Sequence, residues 1–108
     1  MYKKIVLLAS VTLLSQIAYA DSVVGVVESV GCHNIDNSCW VQVQGAPSSQ
    51  YCNHSTQLRW DAASSYGARW YATFLAAHLA GKRVFLEVSS TACGPQNYPT
   101  FVYGSVSD

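Results

Sequence analysis

Hydrophobic residues recur with a period of two along most of this chain and with a helical period along one stretch. Ser22 to Val30 (S-V-V-G-V-V-E-S-V) is dense in β-branched residues. Val24, Val26 and Val30 fall on one side and Val23 and Val27 on the other, so it reads as a strand buried on most of both faces. Gly25 in its middle predicts a bulge or a sharp coil. Cys39 to Gly45 alternates, with Val41 and Val43 inward and Trp40, Gln42 and Gln44 outward. A short polar strand is expected from Thr56 to Trp60. Over Asp61 to Gly81 the period changes: Tyr66, Trp70 and Phe74 recur every four residues, with Tyr71, Leu75 and Leu79 on the adjoining face. This predicts one helix, apolar on two faces, capped by Asp61 or Ser64 and closed by Gly81. Lys82 to Ser89 alternates again, with Val84, Leu86 and Val88 inward, and Thr100 to Val106 is a last strand. Turn-rich loops at Gly31 to Ser38, Ala46 to Ser49 and Gly94 to Asn97 separate the strands.

The expected order is therefore β-β-β-α-β-β in a single domain over 21–108, a mainly β protein with one helix. A helix of about five turns is marginal in water by itself, so it must bury apolar surface against the strands. Three strands, a bridging helix and two further strands is the order of the OB-fold, a small five-stranded, partly open barrel. A plain α+β sheet with the helix on one face is the alternative.

Composition narrows the setting. Met1 to Ala20 reads as a signal peptide: Lys3 and Lys4 precede a mostly apolar run, and Ala18-Tyr19-Ala20 is an A-x-A cleavage site before Asp21. The apolar run is shorter than the roughly 20 residues a membrane span needs. Beyond the leader, Arg59, Arg69, Lys82 and Arg83 face Asp21, Glu28, Asp36, Asp61, Glu87 and Asp108, a balance of about −2 without a basic patch. Nucleic acid is excluded as a partner on that ground. Cys32, Cys39, Cys52 and Cys93 all lie in the exported part, and an even count in a small secreted domain implies two disulfides, with three pairings open. No CxxC pair is present, so zinc is not implied, and neither is a cofactor. A secreted or periplasmic location follows.

Several motifs resemble the cell-binding B subunits of bacterial toxins of the subtilase cytotoxin and pertussis-like kind, with the short secreted bacterial proteins that share their layout. They are Gly25-Val26-Val27, Ile35-Asp36-Asn37, the cysteine-bearing hairpin from Cys39 to Cys52, the aromatic run from Trp70 to Ala77 and the Gly81-Lys82-Arg83-Val84 strand entry. The resemblance implies an OB-fold, export, and in the toxin members a ring of five subunits that binds cell-surface glycan, docks a toxin A subunit and lines its pore with helices. The serine that takes part in sialic acid recognition before Gly-Val-Val is replaced here by Val24. The toxin-type hairpin would join Cys39 to Cys52. The short secreted relatives instead join the cysteine before the helix to the one after strand four, which favours Cys52 with Cys93 and leaves Cys32 with Cys39.

Candidate chemistry is sparse. A Ser-His-Asp set could be drawn from Ser55, His54 and Asp61, and paired carboxylates from Asp36 with Asp61 or Glu28 with Glu87, yet no catalytic signature selects any of them. His33 with Asp36 is no stronger as a metal pair, and His78 reads as a packed or pore-facing helix residue. A binding surface is better supported. Trp40, outward beside Gln42, suits stacking on a sugar ring or burial in a subunit interface, and Asn34, Asp36 and Asn37 supply donors and acceptors for hydroxyl groups while also being ordinary turn formers. The reading is a secreted, non-catalytic binding module that takes glycan and forms a homo-oligomer; a monomeric periplasmic protein with a structural, inhibitory or protein-interaction role is the alternative.

Overall fold

The computed structural model describes residues 22–45, 52 and 57–108. The expected leader and its cleavage site, the turn at 46–49, the start of the third strand at Thr56, and His54 and Ser55 lie outside the described residues. The elements are β1 (Ser22–Cys32), β2 (Ser38–Val43), β3 (Leu58–Asp61), α1 (Ser65–Ala80), β4 (Arg83–Cys93) and β5 (Pro99–Ser107), with a 3-10 turn at Pro95–Asn97. This is the predicted β-β-β-α-β-β order.

The strands form one antiparallel sheet in the order β3-β2-β1-β4-β5. Two partners share β1: Ser22 to Val26 pair with β4, and Val27 to Cys32 pair with β2. A strand that passes from one neighbour to the other must coil, and the coil curls the sheet until its outer strands meet. Trp60 of β3 and Phe101 of β5 touch edge to face at 5.6 Å. The result is a small OB-like barrel. Gly25 sits at the handover, where any Cβ would run into the Gln44 carbonyl; the Gln44 N–H donates to the Val26 carbonyl at 3.0 Å. The expected bulge lies slightly farther on, between Val27 and Ser29. Only one face of β1 is enclosed, because the barrel has a single interior: Val23 and Val27 are buried, whereas Val24 is 52 % exposed.

Inside the barrel Val41, Val43, Val84, Leu86 and Val88 form the core at their expected inward positions, joined by Leu58 of β3. The helix closes the barrel with Phe74 and Ala77. Ser64 caps it, accepting from the Gly67 N–H at 3.0 Å, while Asp61 accepts from the Ala63 N–H at 2.9 Å and so belongs to the preceding turn. Gly81, at φ 67°, ends it in a paired C-terminal turn: its N–H reaches the His78 carbonyl and the Lys82 N–H reaches that of Ala77. Neither apolar face expected of the helix is covered along its whole length: on the first Phe74 is enclosed but Tyr66 is 63 % exposed, and on the adjoining one Tyr71 packs against the core and Leu75 is half-buried but Leu79 is 77 % exposed. Among the described residues no helix is long and apolar enough to cross a membrane.

Both disulfides are present, joining Cys32 to Cys39 and Cys52 to Cys93. Cys32 and Cys39 stand opposite each other in the β1/β2 ladder, and Cys93 ends β4. Two disulfides accord with an oxidising, extracellular or periplasmic setting.

Candidate functional site

Burying Val41 and Val43 turns Trp40 and Gln42 outward on β2, and burying Leu58 and Trp60 turns Arg59 outward on β3. Trp40 lies opposite Gly31 on one side and Arg59 on the other. A Cβ at Gly31 would come within 2.6 Å of Trp40 Cζ2, so the glycine leaves room for the indole to lie across the ladder. The His33 ring packs against that indole at 5.7 Å, tilted by 57°. On the far side the Arg59 guanidinium carbon stands 5.9 Å from the Trp40 ring centre and 3.6 Å from that of Tyr98. A row of His33, Trp40, Arg59 and Tyr98, all half-buried, thus crosses the outer face of the barrel.

Two amides hold Arg59 in that row. Its Nε and Nη2 donate to Gln57 Oε1 at 3.1 and 2.9 Å, and its Nη1 donates to Gln96 Oε1 at 2.7 Å. Gln96 and its neighbour Asn97 occupy the left-handed region, at φ 57° and 64°. That conformation is unfavourable for a glutamine, and it is imposed by the tight turn that carries the Gln96 amide to the guanidinium.

Beside the row is an open hollow of about 280 Å³ lined by Asp36, Asn37, Ser38, Asp61, Pro95 and Gln96. Asp36 Oδ1 accepts from the Ser38 hydroxyl at 2.6 Å and from the Ser38 N–H at 2.9 Å. The Ser38 hydroxyl, its N–H and the neighbouring His33 all favour the ionised form and hold the Asp36 carboxyl below the usual aspartate range. His33 Nδ1 lies 3.0 Å from Ser38 Oγ and 3.3 Å from Asp36 Oδ1. Since the serine proton is committed to Asp36, Nδ1 carries its own proton and donates it to this pair.

The sequence-predicted residues are only partly united. Trp40 and Gln42 face outward as expected, and Asn34, Asp36 and Asn37 occupy the adjacent β1–β2 loop, all exposed. Asp36 and Asp61 do share the hollow, but each carboxylate already caps a turn. Glu87 lies opposite Ser22, six residues along β1 from Glu28, so that pair does not form. His78 Nδ1 donates to the Val27 carbonyl at 2.7 Å, tying the helix to β1. Among the described residues no cluster of three or more metal-ligating side chains occurs. Gln57, Arg59, Gln96 and Tyr98 were not foreseen. Reading L-R-W-D as a strand with Leu58 and Trp60 inward would have put Arg59 on the face of Trp40; the two loop residues had no such signal. No protein-family model, curated protein or solved structure matches this chain.

Proposed function

We propose that this protein is a secreted, non-catalytic binding module that holds a saccharide on the outer face of β2 and β3. The row of His33, Trp40, Arg59 and Tyr98 carries the reading. In OB barrels that face, with the loops after the first and fourth strands, is where oligosaccharides and oligonucleotides dock. The net negative balance beyond the expected leader disfavours the nucleic acid. An indole lying along a sheet offers a flat apolar surface to a pyranose ring, and Gln42, Gln57, Gln96 and Asn37 offer hydrogen bonds to its hydroxyls. A hydrolytic role finds no support in the nearest serine, Ser38: its hydroxyl donates to Asp36, a carboxylate whose lowered pKa makes it a weak base, and the His33 imidazole donates to the same pair and does not accept the hydroxyl proton.

The resemblance to toxin B subunits extends the proposal to a homo-oligomer that carries a partner to glycan-bearing cells. Support comes from Val24, Phe85 and Tyr103, which leave an apolar patch on the outer face of β1, β4 and β5, Val24 and Tyr103 being more than half exposed. A glycan array probed with the wild type and with Trp40→Ala tests the saccharide reading. The wild type is expected to bind a subset of glycans, and the variant to bind them about tenfold or more weakly. A silent array, or equal binding by the variant, overturns it. Light scattering at micromolar concentration tests the assembly, and a monomer there removes it.

A further inference from the structure

We infer that Arg59 sets the specificity of this face and that the saccharide it selects carries a carboxylate. The inference rests on the saccharide reading above. Its starting point is an uncompensated charge. The guanidinium is permanently protonated, yet its partners are two neutral amide oxygens and two aromatic rings. Among the described residues the ion pairs are His33 with Asp36 and Lys82 with Asp108, and neither includes Arg59.

The hydrogen-bond inventory points the same way. Of the five N–H groups of a guanidinium, Gln57 and Gln96 take three, one each from Nε, Nη1 and Nη2. One N–H therefore remains on each terminal nitrogen, free to donate to a carboxylate in a charge-assisted hydrogen bond. The amides and the Tyr98 ring fix the group in advance, so little rotamer freedom is left to lose on binding. Trp40 stands next to it at 5.9 Å, so a pyranose resting on the indole brings a ring substituent to the guanidinium. Asp36 and Asp61 in the adjoining hollow repel a densely charged polymer. A saccharide with an isolated carboxylate satisfies both conditions, as a hexuronate or as a sialic acid.

The rival role for Arg59 is mechanical: tying β3 to the loop after β4. Titration of the ¹⁵N-labelled protein with methyl glucuronide, methyl sialoside, the methyl esters of both, and neutral methyl glucoside separates the two, with the Arg59 Nε–H resonance as the local probe. We expect at least one free acid to bind and move that resonance, and its ester to bind about tenfold or more weakly. Which acid binds identifies the source of the carboxylate. Arg59→Gln should erase the preference for acid over ester, and Arg59→Lys should retain it in weakened form. Esters that bind as well as acids, or a preference that survives Arg59→Gln, overturn the inference while the saccharide reading stands. Binding by none of the five probes, together with a silent glycan array, removes both. The acid-against-ester comparison uses the unaltered protein, so a poorly folded variant does not weaken it.

Discussion

Phe74 is the side chain on which the interior converges. It is wholly enclosed and meets Trp60, Phe101 and Trp70 at ring separations of 5.3, 5.4 and 5.4 Å. Those rings come from β3, β5 and the helix, so truncation leaves a void that no single element can fill. Phe74→Ala is expected to cost about 3–5 kcal/mol in chemical denaturation; a loss near 1 kcal/mol would mean the aromatic cluster collapses easily. Asp36 acts at the surface and through pH. Its folded pKa is lowered, chiefly by the Ser38 hydroxyl, so its contribution is present above the ordinary aspartate pKa and is lost as pH falls through the lowered value. Melting temperature followed from neutral to acid pH should therefore fall less steeply in Asp36→Asn than in the wild type, and parallel curves would contradict the assignment. Period-two alternation made the outward turn of Trp40 legible from its neighbours Val41 and Val43. Tyr98 was not legible in this way, because its meeting with Arg59 depends on barrel closure.

At the scale of elements, local signals read more truly than long-range ones. The helix showed itself through spacing, a serine cap and a terminal glycine, all set by residues within a turn or two of one another. How far each face is buried depends on the barrel mouth: both apolar faces expected of the helix are covered near its middle and bare at one end, at Tyr66 and at Leu79. Ser64→Ala should destabilise by about 1 kcal/mol, since it frees the Gly67 N–H. Leu79→Gln should stay within about 0.5 kcal/mol of the wild type, since Leu79 is 77 % exposed. A much larger loss for Leu79→Gln, dependent on protein concentration, would show that this helix face packs against another subunit, as in the ring the resemblance implies. First-strand burial was misjudged for a related reason: a run of valines looks alike whether one face or both are covered, and only pairing decides.

For the molecule as a whole, the decisive feature is the seam where β3 meets β5. Every other neighbouring pair of strands is joined by a ladder. At the seam the described contacts are between side chains: Trp60 with Phe101, and Arg59 with Tyr98 just before β5. Cys52 lies ahead of β3 and Cys93 ends β4, so their disulfide spans the same junction from the chain's other side. The two disulfides should consequently differ in worth. Chain entropy assigns about 4 kcal/mol to the bridge that closes 41 residues and about 2.5 kcal/mol to the one that closes 7. Cys32 and Cys39 also sit on strands already held by the β1/β2 ladder. Replacing Cys52 and Cys93 together with serine should lower the denaturant midpoint more than the same change at Cys32 and Cys39. It should also speed amide exchange in β3 ahead of β2, because β3 is short and loses the covalent tie nearest the seam. Exchange that quickens first along β1 and β2 would place the weak point in the ladder. In a domain this small, about 4 kcal/mol is a large share of the whole margin, so the same measurement shows how far the Arg59 row, which straddles the seam, depends on sulfur bonding for its shape.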